Sequence, residues 1–435
     1  MLRKRFKNFL AMAMAGIMLL GSVPVSAASV QNDVMPIEDS VVEEFAVSFD
    51  ANYAEVGKAL SAVVTGASDV TYKWYVDGML VSNESSYTPT ESDLESWIEV
   101  VVNDGTKSIS QKIYCSKLPV VYIDTEGGQP ITSKENYIDA TIKIQGNAQY
   151  SSSEVLYEGA TEIRGRGNST WGQPKKPYRL KLDKKADVFG MGKSKHWVLL
   201  ANYLDESLMR NTLAYDLSGE MGMEHLSTVW VDVIMNGEYV GNYQFCENVR
   251  VDDGRVEILD WEGYCEDAAA VIAEAESLSD DEAGDLETYM AETSMSWISS
   301  GKVSFNGKTY NLLDYNDALL GKLPKEYRTK LESIADLKNL ITGGYILELD
   351  SYYDEFSKFK TNSGQPMMFK NPEFVATNND MLSYVQDYVQ AFEDAVNSSD
   401  YTTNYNGEST HYSDLYDLDA LVDYWLVTEI FFNEE

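Results

Sequence analysis

The chain has 435 residues, 44% hydrophobic residues and a formal net charge of −36 at pH 7. A surface this acidic repels nucleic acids and anionic membrane surfaces, so neither class of partner is expected. Three cysteines are too few for a disulfide framework, and the three histidines show no spacing typical of a zinc site.

The first residues have the composition of a secretory signal peptide. A basic start is followed by an apolar run over residues 9–20 and by a small-x-small cleavage pattern that ends at Ala27. The run is too short to cross a membrane comfortably. We therefore expect residues 1–27 to be removed from a secreted or cell-surface protein, with residues 28–44 as an acidic linker.

Residues 45–117 have the pattern of a small β-sandwich. The stretch "VTYKWYVDGMLV" alternates apolar residues along one face, and its Asp77-Gly78 pair is a hairpin turn signal. Further strand-like runs with a second Asp-Gly turn follow. The segment resembles bacterial immunoglobulin-like repeats, which share "Y-x-W-Y-x-D-G" and usually act as spacers or adhesive units. We expect a separate module with Trp74 and Trp97 in a core of its own.

A basic stretch interrupts the acidic chain after the start of the second domain, which we place at residues 118–435. The window 164–195 holds ten Lys and Arg residues and two acidic residues. Its sequence "RGRGNSTWGQPKKPYRLKL" predicts a β-hairpin. On the returning strand, Arg179 and Lys181 share one face while Leu180 points to the other. A basic segment within a strongly acidic chain indicates that this segment binds a local anionic ligand.

The basic hairpin has two interpretations from its residues alone. Guanidinium and ammonium groups beside a loop with free backbone N–H groups form a clamp for phosphate or carboxylate. Alternatively, it is a surface hairpin whose arginines pair with the abundant acids. The nearby "GMGKSK" is not a P-loop, because residue 187 is Asp where that motif requires glycine.

The remaining elements mix helices and strands, and two turn pairs and several caps support the assignment. In chain order they are a helix within 205–222 capped by Asp205 or Ser207, strands around Asn236-Gly237, an acidic and mostly helical segment 262–340 that looks inserted or lid-like, a strand in "GGYILELD", and a final helix from about Asp417.

Three carboxylates lie in apolar strand contexts. These are Glu247 in "FCENV" and Glu348 and Asp350 in "YILELD". A carboxylate in such a context either pairs with Lys or Arg or faces a cleft. Both interpretations stay open.

On the final helix we expect one buried face that ends in a carboxylate. Asp417 is interpreted as the helix cap, and Glu429 should point inward, four residues after Trp425. The predicted buried stripe consists of Leu418, Leu421, Val422 and Trp425.

Five linked motifs resemble, in order, those of the spore coat protein H (CotH) kinase family. They are "IRGRGNSTWGQPKKPYRLKL", "HWVLLANYLDESLMRNTLAYDLSGEMG", "NGEYVGNYQFCENVRVDDGRVEI", "GGYILELD" and "DYWLVTEIFFN". The resemblance implies an α+β fold: a reduced atypical kinase-like domain with a β-rich N-terminal part and a helical C-terminal part, after the N-terminal β-sandwich. It also implies a secreted or spore-associated enzyme that transfers the γ-phosphoryl group of ATP to serine in protein substrates, with Mg²⁺.

The resemblance assigns roles to the basic hairpin and to two carboxylates. The hairpin would be the nucleotide-phosphate clamp, with Lys181 or Arg179 on its strand. A strand lysine in a kinase usually pairs with a carboxylate, and Glu247 and Glu348 are the candidates. The lip of the clamp would consist of Arg164, Arg166, Asn168 and Ser169.

The sequence departs from the family at the final motif. In the family this helix runs into N-x-D, whose aspartate is a catalytic candidate, and a later segment supplies a magnesium-binding aspartate. Here the motif is Asn433-Glu434-Glu435, so Glu435 stands where the aspartate is expected. We therefore expect a kinase whose catalytic end and metal ligands are missing from this chain.

Two other functions stay open. One is a non-catalytic, pseudokinase-like binding protein, or a structural protein of the spore coat or surface, whose partners are other coat or surface proteins. The other is carbohydrate binding, which rests on aromatic content alone.

Overall fold

The computed structural model describes residues 44–147, 154–252 and 254–431. The predicted signal peptide, residues 28–43 of the linker, and the candidate residues Asn433 and Glu435 lie outside the described residues. Within the described residues the fold is mixed α+β, with a strand-rich N-terminal part followed by a part with most of the helices. This confirms the predicted class and the order of the two parts. No helix in the described residues combines the length and apolar character needed to cross a membrane.

The described part of the N-terminal module consists of short strands in two sheets. They are β1 (Ala46–Phe49), β2 (Leu60–Thr65), β3 (Thr71–Val76), β4 (Met79–Ser82), β5 (Ser86–Tyr87), β6 (Ser96–Asn103) and β7 (Ser108–Cys115). The sheet orders are β1-β2-β5 and β4-β3-β6-β7. Leu60 from the first sheet and Trp74 from the second belong to the same buried cluster. The Trp74 indole N–H donates to the Glu84 carbonyl at 2.8 Å, so this buried ring keeps its polar group paired.

Seven strands of the described residues close into a barrel. They are β8 (Val120–Thr125), β9 (Ile138–Gln145), β10 (Val155–Gly165), β11 (Tyr178–Asp187), β12 (Lys193–Leu200), β13 (Thr228–Met235) and β14 (Glu238–Glu247). Their order around the barrel is β10-β11-β12-β14-β13-β8-β9. The pair β8–β13 is parallel and the other pairs are antiparallel. Alternate side chains such as Ile163, Leu180 and Phe245 fill the interior.

The predicted tight turns are confirmed at two hairpins. Asp77 and Gly78 have φ of 45° and 80°, and Asn236 and Gly237 have φ of 51° and 77°. Positive φ at both central positions matches the twist of the strands that these turns connect.

The C-terminal half contains most of the helices, interspersed with small sheets. Its strands pair as β15–β16, as a sheet in the order β17-β19-β18, and as β20–β21; their bounds are β15 (Lys302–Phe305), β16 (Lys308–Asn311), β17 (Ile346–Leu349), β18 (Lys358–Lys360), β19 (Pro366–Asn371), β20 (Thr402–Tyr405) and β21 (Glu408–His411). The described α-helices are α1 (Arg210–Glu220), which follows barrel strand β12, and α2 (Trp261–Glu276), α3 (Asp280–Thr288), α4 (Trp297–Ser300), α5 (Asn316–Lys322), α6 (Lys325–Arg328), α7 (Asn379–Asn397) and α8 (Leu418–Phe431).

The acidic segment 262–340 is mostly helical, as predicted, and packs into the core of this half. Trp297 from this segment lies in one buried cluster with Phe369 and Met381 from the residues that follow it. The segment, which the sequence suggested to be inserted or lid-like, therefore contributes side chains to the core of this half.

Two helix boundaries follow from local capping. Helix α1 begins at Arg210, later than predicted, with Met209 rather than Asp205 or Ser207 at the N-cap position and with no cap from the Met209 side chain. The Asp205 carboxylate still accepts a hydrogen bond from the Arg210 backbone N–H at 2.8 Å. Asp417 caps α8 as predicted, because its side chain accepts from the N–H of the helix's third residue at 3.1 Å.

The buried stripe predicted for α8 is wrong. Val427 is the buried residue of this helix, whereas Val422 and Trp425 are 53% and 58% exposed and Glu429 is exposed. Apolar residues lie all round the helix, so the periodicity could not single out the face that packs.

The N-terminal module contacts the barrel through a small apolar cluster. Its members are Tyr114, Val120 and Ile234, with Trp97 and Tyr122 packed against them. The expectation that Trp97 lies in a core of the module's own is therefore wrong, although Trp74 does lie there. Trp97 and Ile98 are neighbours on one strand, so they point to opposite faces, and Ile98 fills the module's core.

A buried carboxylate reinforces this contact. Asp232 on β13 is 4% exposed, and its two oxygens accept hydrogen bonds from the Ser116 hydroxyl at 2.5 Å and the Tyr239 hydroxyl at 3.0 Å. Ser116 lies in the connection between module and barrel, so this network fixes the connection to the barrel wall.

We predict that Asp232→Ala lowers the free energy of unfolding by about 1–3 kcal/mol, because it removes a buried carboxylate that accepts from the partly buried Ser116 and Tyr239 hydroxyl groups. Thermal and urea unfolding would measure the change. Asp139→Ala, at an exposed position on β9, is the matched control and should be close to neutral. Equal stability of the two variants would contradict a structural role for Asp232.

Candidate functional site

A cleft of about 760 Å³ lies where the barrel meets helix α1 and the sheet β17–β19. The basic hairpin contributes Arg166 and Arg179 to its lining, and the end of β14 contributes Glu247. Glu348 and Lys370 line it from the opposite sheet. The structure thus brings four of the sequence-predicted residues to one cleft.

The predicted hairpin and the two faces of its strands are confirmed. In the β10–β11 pair, Arg164 lies opposite Arg179 and Ile163 lies opposite Leu180. Ile163 and Leu180 are fully buried in the barrel, while the two arginines are partly exposed on its outer face. The core therefore fixes the position of the charged face through the alternation of side chains.

Two glycines of the "RGRGN" stretch have steric reasons to be glycine. A Cβ atom at Gly165 would lie 2.4 Å from the Trp171 ring, so this position lets the ring pack directly on the strand. Gly167 has a φ of 79°, a conformation that side chains disfavour. Together they allow the loop after β10 to fold back over the hairpin.

Five basic side chains form what we call the cation cluster: Arg164, Arg166, Arg179, Lys181 and Arg250. Arg250 comes from the segment that follows β14, far from the basic window in sequence. The Arg179 guanidinium donates to the Asn248 side-chain oxygen at 2.8 Å. Arg164 lies over the Tyr137 ring, with 4.9 Å between the guanidinium carbon and the ring centroid.

The cluster contains buried donors that lack acceptors. The Nε atoms of Arg164, Arg179 and Arg250 are buried and have no hydrogen-bond partner among the described residues. Arg250 Nε does lie 3.9 Å from an Asp252 carboxylate oxygen, an ion pair beyond hydrogen-bonding distance. A buried donor without a partner costs about 1–3 kcal/mol, and more when it is charged. The cluster therefore has unused hydrogen-bonding capacity for an anion.

Arg179 is the cation of the cluster on which its neighbours act most clearly. Burial lowers the pKa of Arg179, and the nearby Arg164, Arg166 and Arg250 lower it further, while Tyr137 opposes them. Like charges close to one another disfavour the charged form of each.

The expected pairing of a clamp residue with Glu247 or Glu348 is wrong. Lys181 forms its ion pair with Glu162, the residue directly opposite it on β10. Glu348 lies 3.4 Å from Lys370, on the neighbouring strand of its own sheet. Glu247 pairs instead with Arg255. Each of these carboxylates therefore forms its ion pair with a cation that the fold places beside it.

The Glu247–Arg255 pair is almost completely buried. Its side chains are 8% and 2% exposed, and the guanidinium lies over the Trp197 ring at 5.1 Å. The second oxygen of Glu247 accepts a hydrogen bond from the Ser227 backbone N–H at 2.8 Å. Glu247 is therefore bound on both oxygens, which favours a structural role for it at the cleft.

Asn168 links the loop of the basic hairpin to the end of strand β17. Its side-chain N–H donates to Asp350 at 3.2 Å, and its side-chain oxygen accepts from Lys134 at 3.1 Å. Ser169 is exposed at the start of the short helical turn that follows. The amide of Asn168 is thus engaged by protein groups, and Ser169 is accessible at the lip.

Sequence reasoning missed three residues at the site: Arg250, Lys370 and His196. Arg250 and Lys370 are single cations in otherwise apolar or acidic stretches, so no local charge pattern marked them. His196 lies opposite Lys181 on β12 and so borders the cluster. Only the pairing of distant strands brings these residues to one place.

The three cysteines do not have the properties of reactive thiols. Cys115, Cys246 and Cys265 are free and buried, and burial raises the pKa of Cys115 to about 11 and that of Cys246 to about 12. Such thiols are poor nucleophiles. In the part of the chain that the structure describes, no group of three His, Cys, Asp or Glu side chains could hold a metal ion.

The fold is a β-barrel that carries a partly exposed cluster of cations on its outer face, next to a mainly helical half. The family model of the CotH kinase protein matches residues 163–358. The match runs from β10 to the first residue of β18 and includes every residue of the cation cluster. A comparison with curated proteins found no match. The findings therefore support a CotH-type kinase or a related protein.

We predict that Glu247→Gln lowers the free energy of unfolding by about 3–5 kcal/mol, because it leaves the buried Arg255 charge without compensation. Differential scanning calorimetry or urea unfolding would measure the loss. Glu162→Gln is the control, because its pair with Lys181 is 30–40% exposed and worth about 0–1 kcal/mol. A loss for Glu247→Gln no larger than that of the control would contradict the structural role.

Proposed function

We propose that this protein is a secreted CotH-type protein kinase and that its cation cluster binds the phosphates of ATP. The observation that supports this most directly is the set of buried guanidinium Nε atoms without partners on the outer face of the barrel. The family match over the same residues supports the choice of a nucleotide as the anion.

The chemistry of phosphoryl transfer fits such a cluster. The reaction needs little covalent chemistry from the protein and depends on positioning and on the neutralisation of phosphate charge. Guanidinium groups bind phosphate through two parallel N–H groups, which fixes orientation as well as charge. In this proposal Arg164, Arg179 and Arg250 contact the phosphates, while Arg166 and Ser169 lie at the lip.

Lys181 takes a different role in this proposal from that expected of a kinase strand lysine. Its ammonium group is engaged by Glu162 on the neighbouring strand. We propose that Lys181 supports the positive field of the site, and that Arg179 makes the direct contact. Asn168 holds the loop in place through Asp350.

Mg²⁺ is the metal that this family implies. Mg²⁺ usually binds through one or two carboxylates together with phosphate oxygens and water. Glu348 lines the cleft and Asp350 follows two residues later, so these carboxylates have the chemistry that Mg²⁺ prefers. Binding the metal would require Glu348 to release Lys370 and Asp350 to release Asn168. When bound, the metal would neutralise charge on the transferred group. Asn433 and Glu435 stay the proposed catalytic residues, with serine of a protein substrate as acceptor.

A second candidate is a non-catalytic coat or surface protein that keeps the nucleotide site. The glutamate at position 435, where the family has aspartate, favours this alternative. A glutamate is one methylene longer, and small errors in position near the reacting atoms reduce rates steeply.

We predict that the double variant Arg164→Ala/Arg179→Ala weakens ATP binding at least tenfold. Each lost charge-assisted contact is worth about 1.5–3 kcal/mol, and tenfold corresponds to about 1.4 kcal/mol. Isothermal titration calorimetry of the mature protein would measure the dissociation constant. Lys184→Ala is the control, since it removes an exposed cation of the same hairpin outside the cluster. Unchanged affinity in the double variant would overturn the phosphate site.

Catalysis needs a separate experiment. We predict that the natural full-length protein transfers radiolabelled phosphate from ATP to itself or to an added coat protein, in the presence of Mg²⁺. The double variant should lose this transfer in proportion to its loss of ATP binding. ATP binding without any transfer would overturn the kinase activity and favour the non-catalytic alternative.

A further inference from the structure

His196 lies at the inner edge of the cation cluster. Strand pairing places it opposite Lys181, with Arg179 two residues from Lys181 on the same face of β11. Its hydrogen bonds with the Ser194 hydroxyl use the backbone N–H and carbonyl of His196, and its ring makes no hydrogen bond within the described residues. It is therefore an imidazole without a local partner, beside the groups proposed to hold phosphate.

Charged groups reach His196 from each element around it. Arg179 and Lys181 face it from β11, and Arg250 and Asp252 face it from the segment after β14. On β10, Glu162 pairs with Lys181 and Arg164 lies opposite Arg179. Lys185 pairs with Asp252 at 3.0 Å and so reduces the negative charge near the ring. The surroundings are therefore positive overall.

These surroundings hold the ring neutral. Burial, followed by the charges of Arg250, Arg179 and Lys181, lowers the pKa of His196 to about 4, while Asp252 opposes the shift. An unperturbed histidine has a pKa of about 6.5. Most of the cations responsible are those that a polyphosphate would neutralise, so a bound polyphosphate reverses the electrostatic part of the shift.

We propose that His196 is a further phosphate-binding residue, and that it takes up a proton when a polyphosphate binds to the cation cluster. This inference rests on the proposed function, because it requires phosphates at this cluster. The protonated ring then donates N–H groups to the anion, as the arginines do.

The direction of the pH dependence follows from linkage. The pKa of His196 is higher in the complex than in the free protein, so the complex holds more protons between these two values. Affinity therefore rises as the pH falls through the value in the complex and levels off near the free value of about 4. At pH 8 the ring is neutral in both states and adds no pH-dependent affinity.

Calorimetry with ATP tests the proton uptake directly. The mature protein is titrated at pH 5.5 and at pH 8 in pairs of buffers that differ in ionisation enthalpy, which gives the number of protons bound. His196→Gln supplies the baseline, since it subtracts the proton carried by the terminal phosphate of ATP. We expect the unmodified protein to take up more protons than this variant at pH 5.5, with at least threefold tighter binding. At pH 8 the two affinities should agree within twofold.

NMR spectroscopy of the unmodified protein provides a second measurement. The chain has three histidines, so the imidazole signals in an NMR spectrum are few enough to follow individually. We expect the pH titration of the His196 signal to move to higher pH when ATP is added. For the calorimetry, His225→Gln is the matched control because His225 lies outside the cluster. This variant should leave both the number of protons taken up and the affinity for ATP unchanged.

The outcomes separate this inference from the proposed function. ATP binding with equal proton uptake in the unmodified protein and in His196→Gln, and no shift of the NMR titration, overturns the role of His196 and leaves the phosphate site standing. No ATP binding at either pH overturns the phosphate site and this inference together.

Discussion

Mutual repulsion among half-buried guanidinium groups is the constraint on which the site depends. Strand register sets Arg164 opposite Arg179, and Arg250 is close enough to lower the pKa of Arg179. Removing cations from water and placing them side by side costs free energy. Asn248 compensates Arg179 in part, yet the buried Nε atoms stay without acceptors in the described residues. An anionic ligand would relieve the repulsion and supply the acceptors together, which supports the proposal that this cluster binds phosphate.

The barrel interior keeps these charges from moving apart. Ile163 and Leu180 alternate with the arginines and are fully buried, and each such side chain contributes about 1.5–3 kcal/mol of burial free energy. A rotation or slip of either strand would expose this apolar surface. The charged face is thus held in place by the core behind it. A site fixed before the ligand arrives needs little reorganisation when phosphate binds, which is the condition under which electrostatic stabilisation is most effective.

Local patterns predicted the hairpin, its two faces and its tight turns, because each depends on residues close in sequence. The partner of Lys181 could not be predicted, since it depends on the register that sets Glu162 opposite it. Arg250 and His196 join the cluster only through the closure of the barrel. The face of α8 that packs was not predictable either, because the helix is apolar all round. The basic strands could therefore be predicted from the sequence, whereas the contacts between their charged side chains depend on strand pairing between distant segments.

The wall opposite the cluster carries carboxylates that interact with the same arginines. Burial raises the pKa of both Glu262 and Glu373, while Arg250 acts to lower the first and Arg164 acts to lower the second. Glu262 also accepts the Glu373 backbone N–H at 2.7 Å, so the two groups are held together. Arg164 and Arg250 therefore act on acidic groups of the helical half as well as on Arg179. In the proposed function, phosphates bound at the cluster would compete with these carboxylates for the same positive charges, because opposite charges close to one another favour the charged form of each.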